Sequence, residues 1–371
     1  MAVIRRRLGH QVIGSVASRP YLVPSRLDFL KKSAFIDLIS PQSRLIIIMG
    51  STTSESPVAL HEFDPSPSNA QAVINALIKD GGVIIRNLLS QEVLDQIEKD
   101  VRPYIEADKP WKGDFFPPET RRVCGLAGKS PTFMKNIVVA PLYQAVCDAL
   151  LTSTYHSYYG KTLEKSISKP QLNNTIVFSI GPGARNQELH RDDMIHHNLV
   201  PAITAEEYKP GRDTGIGFFI AGKKTTKQNG ATRFIPGSHL WATVTEPDEE
   251  QAVYAELSPG DGFMMLSSCF HGGSANKTVD EERLVYSCFM TKGYLRQEEN
   301  QYLANPIEKV REYPVDMQRL IGYQVSQPFL GWLDLDDPRK ALVGNAWEDG
   351  RGDVLGYEGD APDRSHSEHP F

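Results

Sequence analysis

Apolar residues recur along this chain at two spacings, and the change from one to the other divides it. Between Ser68 and Asp80 the positions Val73, Ile74, Ala76 and Leu77 fall on one helical face, and Gly81-Gly82 supplies the stop. Val83 to Arg86 reads as a short strand. Ser90 is placed to cap a second helix with Glu92 in its first turn and Val93, Leu94, Ile97 and Val101 as its stripe. Pro103, which has no N–H to give, is expected to end that helix within a residue or two. Residues 109–132 have no period. Trp111, Phe115, Phe116 and several prolines crowd a stretch that reads either as a lid or binding loop, or as a loop pinned to the core by its aromatics. Phe133 to Leu151 is helical again, broken near Pro141.

From Gln171 the period shortens to that of strands. Thr175–Ile180, Gly215–Ala221, Thr232–Ile235, Tyr254–Leu257, Phe263–Ser267 and Arg283–Thr291 are apolar runs parted by turn sequences such as Gly181-Pro182-Gly183 and Ser258-Pro259-Gly260-Asp261. Many short strands with regular turns argue for a sandwich or barrel, and eight of them make a jelly roll. The expected fold is mainly β with flanking helices (α+β), around a double-stranded β-helix, or cupin-like jelly-roll, core. Residues 49–345 read as one domain: a helical scaffold over 68–151, the jelly roll over 171–295, and a helical segment over 305–340 containing a helix from Met317 to Val325. Residues 346–371 read as a polar tail.

Composition narrows the function. A net charge of −6 and the lack of a basic, aromatic-rich patch exclude a nucleic-acid partner. No apolar run approaches membrane-spanning length. Cys124, Cys147, Cys269 and Cys288 have no metal-binding spacing and read as reduced thiols of a cytoplasmic protein. Residues 1–48 hold eight basic residues against two acidic ones. They read as an upstream extension with Met49 as the working start; were they a transit segment, the location would be mitochondrial.

The chemistry gathers at Gln187-Glu188-Leu189-His190-Arg191-Asp192. On a strand, His190 and Asp192 would point the same way, because side chains alternate with period two. An imidazole and a carboxylate are two members of a 2-His-1-carboxylate triad, which holds Fe(II) on one face and leaves the others open. A lone His-x-Asp is a weak signal. It gains weight from His271, opening His271-Gly272-Gly273, and from Arg283 on the next apolar strand. Adjacent Asp193 should face away. Among the rival histidines, His196 and His197 could line the site, His239 follows a Pro-Gly-Ser turn and should bond locally, and His366-Ser367-Glu368 lies in the polar tail. A buried Arg must be paired, either with a nearby acid such as Asp261 or with a bound carboxylate. Iron ligands with a carboxylate clamp beyond them suit a dicarboxylate co-substrate, as 2-oxoglutarate enzymes require.

These residues, with Asn229-Gly230-Ala231-Thr232, Ile235-Pro236-Gly237-Ser238-His239-Leu240-Trp241, Pro259-Gly260-Asp261 and Phe115-Phe116-Pro117-Pro118-Glu119-Thr120, resemble the phytanoyl-CoA dioxygenase family, particularly its fungal natural-product branch. The resemblance spans roughly residues 60–340. It implies an enzyme using Fe(II), 2-oxoglutarate and O2 to oxidise a small, largely apolar metabolite of secondary metabolism, by hydroxylation, desaturation or a related C–H oxidation. It also implies that Gln187 contacts 2-oxoglutarate and that Thr232 helps hold its far carboxylate. Gln187 is three residues from His190, so this role requires a turn or bulge between them. Related halogenases have a small residue where this chain has Asp192, which points here to oxygenation. The alternatives are a jelly-roll metal-binding protein and a cupin-type metal enzyme that does not use 2-oxoglutarate. Self-association as a homodimer stays open.

Overall fold

The helical period at Ser68–Asp80 folds as α1 (Ala70–Asp80), which buries Val73, Ile74, Ala76 and Leu77 and ends where Gly81 turns left-handed at φ 79°. A computed structural model describes residues 60–344; the readings of residues 1–48 and of the tail from 346 lie outside that range. Before α1 comes β1 (His61–Phe63) and after it β2 (Gly82–Ile85), then α2 (Gln91–Ala107). Pro103 does not end α2 but lies inside it. The helix forgoes one backbone hydrogen bond there, yet Ile105 continues the buried stripe of Leu94, Ile97 and Val101 and holds the last turn against the core.

Within the stretch read as irregular there is one strand, β3 (Thr120–Cys124). It is followed by α3 (Pro131–Phe133), which runs on into a π turn, and by α4 (Pro141–Leu151), which starts at the expected proline. A hairpin, β4 (Ser153–Tyr159) with β5 (Thr162–Ser168), comes next, where the sequence gives no strand signal. The remaining strands are β6 (Gln171–Ile180), β7 (Gly215–Ala221), β8 (Thr232–Phe234), β9 (Val253–Ala255), β10 (Gly262–Leu266), β11 (His271–Gly272) and β12 (Arg283–Thr291). All six strands read from the sequence are present. Short helices α5 (Gln301–Ala304), α6 (Ile307–Arg311), α7 (Val315–Ile321) and α8 (Lys340–Val343) complete the described chain.

The strands form a jelly roll. Its large sheet has the order β1-β2-β10-β7-β12-β6-β3, and its small sheet the order β11-β8-β9. β12 lies inside the large sheet with every residue buried, which explains its continuous apolar run. Strands β2 and β3, from the scaffold region, extend this sheet on either side. Phe219, Phe234 and Phe263 fill the space between the sheets, and α1 and α4 pack outside, where Phe218 meets Tyr143 of α4. None of the described helices is long and apolar enough to cross a membrane.

Candidate metal centre

His190 and His271 form an isolated antiparallel bridge, each peptide N–H donating to the other's carbonyl at 2.9 Å. Residues paired this way carry their side chains on one face, and the two ring centroids lie 4.5 Å apart. Asp192 does not reach them by strand alternation. It is the first residue of a 3-10 turn, Asp192–His196, and Arg191 is the extended residue before it. The turn carries the carboxylate across to the imidazoles. Oδ1 lies 3.5 Å from His190 Nε2, and Oδ2 lies 3.4 Å from His271 Nε2. One ligand atom from each of the three falls within 4.8 Å of the others. Asp193 is outside the cluster, as expected. Its N–H donates to the Ser267 carbonyl at 3.1 Å and its carboxylate accepts from Asn198 Nδ2 at 2.8 Å.

The ring nitrogens not facing Asp192 are both occupied. His190 Nδ1 is 2.8 Å from the Glu188 carbonyl, and His271 Nδ1 is 3.2 Å from that of Cys269. A carbonyl partner requires the proton on Nδ1, so in the neutral ring Nε2, on the Asp192 side, is the nitrogen with the lone pair. Burial pushes His271 down to about 4, which keeps it neutral. Burial also works against protonation of His190, but the hydrogen bond and charge of Asp192 outweigh it and raise this imidazole. Asp192 itself is held below its usual range: burial opposes ionisation, and the two imidazoles beside it, His190 through a hydrogen bond as well, overcome it. Its Oδ2 is buried with no hydrogen bond. Two Nε2 donors and an under-satisfied carboxylate oxygen fit a divalent cation.

Beyond this cluster lies a buried cation. Arg283, the first residue of β12, donates to Thr232 Oγ1 at 2.9 Å, and its Nε has no partner. It meets no carboxylate among the described residues. Asp261 instead pairs with Arg86 at 2.7 Å. Burial alone brings the Arg283 guanidinium down to about 10. Gln187 is joined to the same rim: its N–H donates to the Gly273 carbonyl at 2.9 Å, and its Oε1 accepts from the Gly273 N–H at 3.2 Å. Residues 185–189 are irregular backbone, which supplies the turn that the spacing to His190 demands. Gly272 makes this approach feasible, because a Cβ there would stand 2.9 Å from the Gln187 carbonyl.

Gln187, His190, Asp192, Thr232, His271 and Arg283 all line one pocket, which encloses ≈ 910 Å³ with its open mouth included. Ile176, Phe178, Phe219, Val285 and Phe289 make its apolar wall. Phe115 and Phe116 come from the aromatic loop and cover the mouth. Phe115 is 5.9 Å from the His190 ring and Phe116 5.8 Å from Phe178, ring centre to ring centre. The loop is therefore part of the site.

His239 does not bond locally. Its Nε2 is 2.8 Å from the Ile78 carbonyl of α1, because left-handed Gly81, with no side chain, leaves room for the ring. His196 faces the Arg296 carbonyl at 3.1 Å and takes no part in the pocket. His366 lies outside the described residues. Two pocket residues escape a reading of the sequence. Asn174 could have been found as the polar member of the inward series Asn174, Ile176, Phe178 on β6. Glu298 follows β12 in an irregular stretch and carries no motif.

Residues 77–284 match the family described as phytanoyl-CoA dioxygenase (PhyH). The chain is 47% identical over 288 residues to dioxygenase peniF of Penicillium patulum, covering 77% of this chain and 93% of that protein. It is 42% identical over 303 residues to dioxygenase himG of Aspergillus japonicus, covering 79% and 94%. Among solved structures, the non-heme alpha ketoglutarate dependent epimerase SnoN from nogalamycin biosynthesis is similar at 19% identity and a TM-score of 0.47, covering 64% of this chain and 89% of that one.

Proposed function

The chain belongs to the phytanoyl-CoA dioxygenase family and is an Fe(II)- and 2-oxoglutarate-dependent dioxygenase, and from that premise we propose how its residues divide the work. His190, Asp192 and His271 hold the iron. Arg283 takes the far carboxylate of 2-oxoglutarate in a bidentate fork, Thr232 Oγ1 steadies that guanidinium, and Gln187 borders the co-substrate. The substrate is a small, largely apolar metabolite of secondary metabolism, lodged against Phe178, Phe219 and Phe289. The observation that carries this reading is the pairing of a three-ligand cluster with a buried arginine that meets no carboxylate of its own.

His190, Asp192 and His271 would hold Fe(II) and Arg283 the oxo-acid, which with O2 would supply the oxidation of an unactivated C–H bond, with succinate and CO2 as co-products. The chain's own part is orientation. The Glu188 and Cys269 carbonyls fix both imidazole tautomers. The His190–His271 bridge fixes their separation through the backbone. Phe115 and Phe116 keep water from the mouth, and the apolar wall decides which carbon faces the metal.

A cupin-type enzyme without 2-oxoglutarate, or a site with only a structural metal, would leave the Arg283–Thr232 pair with nothing to bind. The test is succinate formation from 2-oxoglutarate with added Fe(II), by wild type and by Arg283→Leu. Succinate from wild type and a large loss in the variant are expected. No succinate from iron-loaded wild type at saturating 2-oxoglutarate, with substrate candidates present, would refute the reading.

A further inference from the structure

The pocket lining includes a solvent-exposed acidic group that neither the metal centre nor the co-substrate clamp uses. Glu298 lies in the irregular stretch between β12 and α5, which is stitched to β6. The Glu298 N–H donates to Asn173 Oδ1 at 2.7 Å, and the Glu299 N–H donates to the Asn173 carbonyl at 3.2 Å. On its side chain, Oε2 accepts from the amides of Asn174 and, at 3.4 Å, Asn173. Oε1 has no partner among the described residues, and no cation pairs with the carboxylate. Asn174, 4% exposed and itself lining the pocket, turns its amide NH2 toward Glu298 and leaves Oδ1 buried without a donor. Native buried polar atoms are seldom left so.

Two acceptors therefore stand open side by side at this spot, the buried Asn174 Oδ1 and the accessible Glu298 Oε1, and both take a donor. The surrounding wall (Ile176, Phe178, Phe289) offers none. Neither arginine that lines the pocket bonds Glu298: Arg283 donates to Thr232 and is the co-substrate clamp of the reading above, and Arg185 donates to the carbonyls of Asp114 and Asn186.

Resting on the dioxygenase reading above, we propose that Glu298 and Asn174 select the substrate: it is an apolar molecule bearing a protonated amine, whose N–H groups bond to the Glu298 carboxylate. The amine anchors one end of the molecule, so the carbon to be oxidised is set by its distance from that nitrogen. A hydrogen bond to a charged partner adds about 1.5–3 kcal/mol, roughly a ten- to hundredfold preference over a neutral analogue of the same shape.

The probes are 3-phenylpropylamine and 3-phenylpropan-1-ol, matched in shape and differing in the terminal group. Their binding to the full chain is measured by calorimetry, metal-free and again anaerobically with Fe(II) and 2-oxoglutarate, while the visible charge-transfer band of the chelated iron is recorded. The amine should bind roughly ten- to hundredfold tighter than the alcohol. Glu298→Gln, which keeps the shape, should remove most of that preference and leave 2-oxoglutarate affinity and the band unchanged. Glu298→Asp, which keeps the charge, should retain part of it. Failure of the amine to bind, equal binding of the two probes, or a preference that survives in Glu298→Gln overturns this inference even where the band is present. Absence of the band in wild type, with the amine preference intact in the metal-free chain, overturns the iron and 2-oxoglutarate reading instead.

Discussion

Arg283 donates to Thr232 Oγ1 at 2.9 Å, and that hydroxyl is its one hydrogen-bond partner in the described chain. A guanidinium taken out of water against a neutral hydroxyl recovers little of its lost hydration. The pair becomes electrostatically complete only when an anion enters the pocket. Thr232, on β8 in the small sheet, then serves to fix the fork of an arginine on β12 in the large one.

The first prediction concerns this pair. Arg283→Leu should raise the concentration of 2-oxoglutarate needed for half-saturation by about thirtyfold to several-thousandfold, the equivalent of about 2–5 kcal/mol. Fe(II) binding should be nearly unchanged, since the side chain lies beyond the ligands. The ligand-free variant should melt no lower than wild type, because an unpaired buried charge has gone. A 2-oxoglutarate titration that superimposes on wild type would reduce Arg283 to a structural role.

Removing the proposed ligands should separate metal binding from turnover. His190→Ala and His271→Ala should each lose Fe(II) in an anaerobic titration with 2-oxoglutarate, as one imidazole and one carboxylate do not hold the ion. Asp192→Gly keeps both imidazoles, so it should end native turnover while still binding 2-oxoglutarate at the metal. A chelator should abolish wild-type activity, and added Fe(II) should restore it. An undiminished charge-transfer band in the His271 variant is the outcome that would dismiss the site.

Acid stability should depend on Glu282, next to Arg283. Arg102 at 2.8 Å, Lys223 at 2.5 Å and Ser179 at 2.5 Å surround its carboxylate. Burial opposes its ionisation, but these partners outweigh burial and bring the carboxyl down to about 2, from an ordinary value near 4.5. A carboxyl depressed on folding contributes stability that is fully present above its unfolded value and is lost as pH falls toward the folded one. Glu282→Gln should therefore cost about 1–3 kcal/mol at neutral pH. That difference should shrink between roughly pH 4.5 and pH 2. Urea unfolding of both proteins at pH 7 and pH 3 measures it, and an equal deficit at the two values would count against the network.

The aromatic loop should govern coupling. Phe115→Ala and Phe116→Ala remove the rings that pack toward His190 and Phe178. Both rings are at least partly exposed, so the stability cost should be about 1 kcal/mol, well below that of a core phenylalanine. Water should instead reach the metal side of the pocket. Succinate released without substrate should rise severalfold, and the ratio of oxidised substrate to succinate should fall. An unchanged ratio would leave the loop as surface packing.

Much of this was legible in the chain because most jelly-roll strands carry apolar runs parted by turn sequences. Arg283–Thr291 is the clearest case, since burial on both faces forces a continuous run. Other elements hid for physical reasons. The β4–β5 hairpin exposes Tyr155, Tyr158 and Tyr159, so no alternation marks it. In β3, Arg121 and Arg122 stand between the buried Thr120 and Val123 and leave no alternation to read. Pro103 misled because local backbone chemistry was outweighed by the burial of Ile105. At the centre the three residues could be named, but the route of Asp192 could not, because a 3-10 turn leaves no period to read. Glu298 owes its place to contacts with Asn173 and Asn174, more than a hundred residues earlier, and only a fold reveals these.

The backbone bridge between His190 and His271 also bears on how the protein is made. The two residues are eighty-one positions apart (271 − 190), so a chain leaving the ribosome displays His190 and Asp192 well before its second imidazole exists. On the proposed ligand set, no half-built form grips a metal with three ligands, so iron would not template the emerging N-terminal half. Uptake must follow the docking of β11 beside the His190 segment. In refolding experiments, the appearance of bound iron would therefore time the closure of the small sheet.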